Sequence, residues 1–204
     1  MAEKKLRIDM SVAEFDAGYF YATDMKAFAR EIGISVGNFR KSELEDLIRD
    51  FLATGKVPSR KPVLPRKPGA ERDELAVNVT VTNYVGDKKT KQFLLELVAK
   101  KEADLKNKSG QWYWLNDWRR LRQESDRTFT YQDLADHLHS LMTTKGRLPQ
   151  IPSARMNNFI TDFYSDPQNS DIPRADVLKA WEWLKVKSGP KTYQKYKRLR
   201  SEES

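Results

Sequence analysis

The stretch from residue 56 to residue 72 constrains the fold most, because a regular helix or an inner strand cannot run through it. It reads KVPSRKPVLPRKPGAER and places lysines and arginines between four prolines. Proline removes an amide donor and favours an extended backbone, and like charges extend the chain further. We therefore predict a basic linker over 56–72, an N-terminal domain over 1–55 and a larger domain over 73–204.

Residues 20–53 carry two short apolar patterns at helical spacing, joined by a brief extended connector. Thr23 is predicted to cap the first helix and Ser42 the second. Gly33 and Gly55 stand where helices commonly end in a left-handed residue. The predicted core residues are Met25, Phe28, Ala29, Ile32, Ile34, Val36, Phe39, Leu44, Leu47, Ile48 and Leu52.

This pattern resembles the SAP motif, a small helix-extended-helix module that binds DNA in many proteins. The matching residues are Met25, Phe28, Gly33, Ile34, Gly37, Lys41, Leu44, Leu47 and Ile48. The connector, residues 36–39, departs from the compact small-residue turn that is frequent in the family. The resemblance implies a DNA-binding protein rather than an enzyme.

The start of the second helix is the predicted phosphate contact, because unpaired amides at a helix N-terminus favour an anion. Arg40 and Lys41 would add positive charge, and Asn38 and Ser42 would donate hydrogen bonds. Such contacts fix a position on a duplex but carry little sequence information. The alternative is that Arg40 and Lys41 are solvated surface residues of a protein-interaction module.

The chain has a net charge of +8 and a pI near 9.5, which suits a polyanionic partner. Residues 1–55 carry a net charge of −2, whereas residues 56–72 carry +5 and residues 166–204 carry +3. The linker and the tail are therefore predicted to add phosphate contacts. The candidates are Arg60, Lys61, Arg66 and Lys67 in the linker and Lys191, Lys195, Lys197 and Arg198 in the tail. The alternatives are a solvated spacer and a basic helix end that satisfies its last carbonyls.

The remainder of the chain indicates helices and one short extended segment, so the predicted fold class is mainly α. Residues 75–83 alternate between apolar and polar side chains, which predicts a strand or an extended arm lying over helices. Helices are predicted over 88–105, 111–122 and 130–144, followed by a helix pair and a last short helix. On the helix predicted over 111–122, one face is predicted to meet the core and the arginines to face solvent. The core-facing residues are Trp114, Leu115, Trp118 and Leu121, and the solvent-facing residues are Arg119, Arg120 and Arg122.

The order of segments is also similar to a group of uncharacterised bacterial proteins. These combine an N-terminal SAP-like domain, an extended stretch ending in an Asn-Tyr turn, and a small helical domain. The matching residues are 81–84, 90–93, Trp118, Thr130-Tyr131, Phe159, Asp162, Ala180-Trp181, Lys185, Gly189-Pro190 and Tyr193. Two stretches, roughly 101–110 and 143–152, are longer than the corresponding stretches of that group. This resemblance implies an architecture and no activity.

The sequence offers little for catalysis. It contains no glycine-rich phosphate loop after a strand and no nucleophile–base set with a recognisable spacing. Asp162, Asp166 and Asp171 fall where turns and caps are typical. His137 and His139, two residues apart on a predicted helix, point in different directions and cannot both bind one metal without distortion. There is no cysteine. We therefore expect no enzymatic activity, no metal and no cofactor.

These observations predict a DNA-binding protein of low sequence specificity whose partner is double-stranded DNA. The alternative is a protein-protein interaction adaptor that uses the same module or the helical domain. No apolar run approaches the ~20 residues of a membrane span, so we expect no membrane association, and nothing indicates a small-molecule substrate. The N-terminal residues lack the apolar core of a secretory signal, which predicts a cytoplasmic protein, associated with the nucleoid if it binds DNA.

Overall fold

The computed structural model describes residues 5–60, 71–125 and 127–203, and the secondary structure of these residues is almost entirely helical. The α-helices are α1 Val12–Ala17, α2 Ala22–Glu31, α3 Lys41–Thr54, α4 Lys88–Lys101, α5 Gln111–Glu124, α6 Tyr131–Thr143, α7 Arg155–Ser165, α8 Arg174–Lys185 and α9 Tyr193–Glu202. The prediction of a mainly helical protein is confirmed. Within the described ranges, no helix combines the length and apolar character needed to cross a membrane.

The chain divides into two compact units that do not follow the order of the sequence. The first unit comprises Met1–Pro62 together with Ile151–Ser204, and the second comprises Val63–Gln150. One division lies inside the predicted linker, but the other lies inside the domain predicted over 73–204. Helices α7–α9 therefore group with α1–α3, because their apolar residues pack against Tyr19, a residue that precedes α2.

The N-terminal part of the first unit has the predicted core. The predicted residues are buried in it, except that Val36 and Leu52 are partly buried at its edge. Gly33 and Gly55 have φ values of +84° and +70°, as expected for left-handed helix ends. The starts of α2 and α3 differ from the prediction.

Neither of the predicted caps stands at a helix start. Tyr21 precedes the first residue of α2, and Arg40 precedes the first residue of α3. Thr23 and Ser42 therefore lie inside the first turns of α2 and α3. At α3, the carboxylate of Glu43 accepts a hydrogen bond from the Arg40 amide at 2.6 Å, which is the acidic half of a capping box and differs from the contact to first-turn amides expected of the serine.

The C-terminal part of the first unit is an aromatic core made by α7, α8 and α9. Trp181 and Phe159 are almost completely buried at its centre, with ring centroids 5.6 Å apart. The remaining buried residues recur at helical spacing on α7 and α8, and the partly buried tyrosines of α9 cover them. These residues are Ile160, Phe163, Val177, Leu184, Tyr193 and Tyr196.

In the second unit, Val77 and Asn78 form a turn, and residues 79–81 then run along the segment that enters α6. The Val81 amide donates to the Phe129 carbonyl at 2.9 Å, and the Tyr131 amide donates to the Val79 carbonyl at 3.2 Å. Val81 is buried, while Thr80 and Thr82 are exposed, so burial alternates as predicted. Among the described residues the only strand pairing is an isolated bridge, so this segment is an extended cover over helices rather than a strand of a sheet.

Helix α5 presents a different face to the core than the sequence predicted. Leu115 is buried as expected, but Leu121 is 56% exposed and Arg120 only 6% exposed. The tryptophans of this helix are half-buried. The predicted face is therefore correct at Leu115 and wrong at Leu121 and Arg120.

Candidate phosphate-binding site

Four basic side chains converge at the start of α3, from three separate segments of the chain. Arg40 immediately precedes α3 and Lys41 is its first residue. Arg60 follows α3, and Arg155 begins α7. Two carboxylates, Glu43 and Glu45, lie among them. Three of these cations were predicted from the sequence, whereas Arg155 was not.

The outer half of this cluster is built around Glu43. Its Oε1 lies 3.3 Å from Nη2 of Arg40 and 4.0 Å from Nη2 of Arg60. The carboxylate is buried, with 5% of its side chain exposed, while 39% of the Arg60 side chain is exposed. Arg60 is therefore the member of this half that a large polyanion reaches first.

The inner half is built around Glu45, whose Oε1 contacts both remaining cations. Nζ of Lys41 lies 3.9 Å away and Nη2 of Arg155 lies 3.4 Å away. Only 10% of the Glu45 side chain is exposed, compared with 16% for Lys41 and 25% for Arg155. Lys41, predicted as a phosphate contact, is thus largely covered by an intramolecular ion pair.

Burial and charge act against each other in this inner half. Burial raises the pKa of the Glu45 carboxyl, and the positive charges of Arg155 and Lys41 partly reverse that rise. Burial likewise lowers the pKa of the Lys41 ammonium, which Glu45 opposes and Arg155 reinforces. Glu45 therefore offsets the desolvation of Lys41, and the two cations offset that of Glu45, so removal of the carboxylate leaves a poorly solvated positive charge.

Tyr19, in the segment before α2, packs against one of the cations. The Lys41 ammonium lies 4.3 Å from the centre of the Tyr19 ring, a geometry that stabilises a cation. The Tyr19 ring also meets Trp181 edge-on at 5.1 Å. Nη1 of Arg155 donates to the Gly18 carbonyl at 3.2 Å. The start of α3 is thereby tied to α7 and α8.

The other predicted contacts of the module lie beside this cluster or outside the described residues. Asn38 is exposed in the turn before α3, and Ser42 is half-buried at the second position of the helix. Lys61, Arg66 and Lys67 fall in the part of the linker that lies outside the described residues.

The predicted tail contacts do not have equal access to solvent. Lys191 is buried, and its ammonium donates to the carbonyls of Ala17 and Lys187. The Gly189 amide donates to the same Ala17 carbonyl at 3.2 Å. Lys191 therefore has a structural role, because its charge satisfies backbone carbonyls within the first unit.

The remaining tail residues lie on α9. Nζ of Lys197 lies 3.0 Å from Asp166, and Nε of Arg198 lies 3.8 Å from Glu202. Both cations are exposed, and Lys195 is half-exposed. Exposed ion pairs stabilise a fold little, so a phosphate can replace Glu202 at small cost. Asp166 is held more firmly, because only 16% of its side chain is exposed and the Tyr193 hydroxyl also donates to it.

In the second unit, cations pack on the aromatic side chains that surround α5. The guanidinium of Arg122 lies 3.9 Å from the centre of a Trp118 ring, and that tryptophan stacks on His137 at 4.8 Å. Nε2 of the other histidine, His139, lies 2.9 Å from Glu102. The two histidines therefore have different partners, and the ring of Trp118 is engaged by side chains of the same unit.

Comparisons with known proteins do not assign a function. No protein-family model, curated protein or solved structure matches the chain. The functional assignment rests on the cations and carboxylates at the start of α3.

Proposed function

We propose that the protein binds double-stranded DNA with low sequence specificity, through phosphate contacts at the start of α3. The observation that supports this function is the convergence of four cations on two carboxylates at a helix N-terminus. The positive end of the helix dipole adds to their charge, and helix starts of this kind favour phosphate. The proposal keeps the SAP-like interpretation and involves no catalytic step.

Within this proposal, Arg60 and Arg40 make the first contacts, and the exposed Asn38 lies beside them. The Arg60 side chain is 39% exposed and the Arg40 side chain 21% exposed. Contacts to phosphate oxygens position a duplex without reading its bases, which accounts for low specificity. The basic linker and the exposed Lys197 and Arg198 add long-range attraction. A cytoplasmic protein of this kind would act at the nucleoid.

The test is fluorescence anisotropy of a labelled duplex of about 30 base pairs, titrated with the intact protein at several salt concentrations. We expect log affinity to fall linearly with log salt. The variant Arg40→Gln/Arg60→Gln should bind more weakly, with a salt slope reduced by about 2.

The matched control is Arg7→Gln/Lys179→Gln, which removes the same charge from exposed positions of the first unit. These side chains are 56% and 79% exposed, and each pairs with an aspartate on the surface. An equal loss of affinity in the two double variants would mean that only net charge matters and would refute the assignment to α3.

A protein-interaction adaptor is the second candidate function, and one observation favours it. The start of α3 already makes contacts with other segments of the same chain, since Lys41 packs on Tyr19 and Glu45 pairs with Arg155. This candidate predicts weak DNA binding that neither double variant changes in the anisotropy experiment.

A further inference from the structure

The carboxylate of Glu45 occupies a place that suits a phosphate oxygen. It lies between an ammonium from α3 and a guanidinium from α7, at 3.9 Å from Lys41 and 3.4 Å from Arg155. Carboxylates and phosphates are recognised by the same planar guanidinium and by the same ammonium point charge. Lys41 and Arg155 therefore hold an anionic group between two elements of the fold.

We propose that Lys41 and Arg155 form a phosphate-binding site that Glu45 fills in the free protein. The inference rests on the proposed DNA binding and adds to it a residue of α7, far away in the sequence. Arg155 is preoriented, because its Nη1 is held by the Gly18 carbonyl at 3.2 Å while Nη2 faces the carboxylate. Lys41 is held over the Tyr19 ring at 4.3 Å.

Glu45 is a replaceable occupant of this site for a physical reason. Its carboxylate loses solvation on burial, and burial raises its pKa, so its negative charge is held less favourably than in water. A phosphodiester keeps its charge at neutral pH and brings neighbouring phosphates that bind at the same time.

The cations can follow an external phosphate without refolding of the helices. Lys41 and Arg155 retain 16% and 25% of their side-chain exposure, and long basic side chains extend their charged ends to the surface while their stems stay packed. Arg49, the next cation on α3, is already engaged by two carboxylates. It lies 2.9 Å from Asp16 of α1 and 2.8 Å from Asp46 of α3.

The test compares Glu45→Gln with Asp46→Asn in the full chain, using the same labelled duplex. Both variants remove one negative charge from neighbouring positions of α3, but Asp46 is 61% exposed and does not contact Lys41 or Arg155 in the ion pairs described. We expect Glu45→Gln to bind about tenfold more tightly at about 0.1 M salt, with a salt slope steeper by about 1 to 2. Asp46→Asn should change affinity by about twofold or less, because exposed charges are screened.

A second variant keeps the inference falsifiable if Glu45→Gln is poorly folded. Inorganic phosphate should raise the thermal midpoint of the wild-type protein more than chloride at equal ionic strength, since a ligand of the native state stabilises it. Arg155→Gln should abolish that difference. An unchanged difference in Arg155→Gln would overturn the site.

The failures of the two proposals are distinguishable. If the wild-type protein binds DNA through Arg40 and Arg60 but Glu45→Gln matches Asp46→Asn, the inner site is refuted and the proposed function stands. If only Glu45→Gln binds DNA tightly, the inner site is supported. If no variant binds DNA and phosphate has no specific effect, both proposals are refuted.

Discussion

The substitution Trp181→Ala tests how the chain divides into two units. Trp181 is 1% exposed, meets Tyr19 edge-on at 5.1 Å and packs against Phe159 at 5.6 Å. Burial of a tryptophan removes about 150–250 Å² from water, which at about 25 cal/mol per Å² is about 4–6 kcal/mol. Truncations of buried aromatics cost about 3–5 kcal/mol. We therefore expect the first unit to lose about 3–5 kcal/mol of unfolding free energy.

The location of the loss is more informative than its size. Because Tyr19 precedes α2, the substitution should weaken α2 and α3 as well as α7–α9. Hydrogen exchange measured by mass spectrometry should show amide protection falling by about 10²- to 10⁴-fold in both groups of helices. Helices α4–α6 should keep their protection. Trp181→Phe keeps an aromatic ring and should show the same distribution with a smaller loss.

The matched control lies in the second unit. Leu138 of α6 is completely buried, and Leu138→Ala should cost about 2–5 kcal/mol, with the loss of protection confined to α4–α6. Loss confined to α7–α9 in Trp181→Ala, with α2 and α3 unchanged, would refute the reasoning. In that case the N-terminal helices would form an independent domain, as the predicted boundary at residue 55 implies.

Three further predictions concern single contacts. Hydrogen bonds from the Thr90 amide and from Arg72 lower the pKa of Asp87 to about 2. Its stabilisation is therefore present above the ordinary aspartate pKa of about 4 and is lost as the pH falls through about 2. Urea unfolding should show Asp87→Ala less stable than wild type at pH 7, with a difference that shrinks as the pH falls towards 2. The Tyr131 hydroxyl donates to the buried Asp73 carboxylate at 3.2 Å, and Tyr131→Phe should lose about 1–3 kcal/mol in urea unfolding; unchanged stability would show that the bond contributes nothing. Gly55 has φ +70° and no atom within 4 Å of an added Cβ, so Gly55→Ala should cost about 1–2 kcal/mol through backbone strain alone, which thermal melting will measure.

The parts of the fold that depend on local interactions could be predicted from the sequence. The start of α6 is an example, because Thr130 and Asp133 cap each other's backbone amides within four residues. The apolar stripes of α2, α3, α7 and α8 are similar, since a helical period and burial on one face produce them directly. The left-handed ends at Gly33 and Gly55 follow from the one residue type that adopts them at no steric cost.

The parts that depend on distant segments could not be predicted. No local pattern distinguishes Arg155 from other basic residues of the sequence. Only the packing of α7 places its guanidinium 3.4 Å from Glu45. Lys191 was one of seven basic residues between Lys185 and Arg200, and its burial depends on a carbonyl of residue Ala17. A local charge pattern shows that a cation is present but not which distant group neutralises it.

The Ala17 carbonyl has a consequence for biosynthesis. It is bound by the Gly189 amide and by the Lys191 ammonium, which leave the ribosome long after α1–α3. Since chains are made from the N-terminus, the second unit has its whole sequence available before the first unit can close. The surface of Tyr19 that packs against α7–α9 therefore stays without this cover while residues 63–150 are translated.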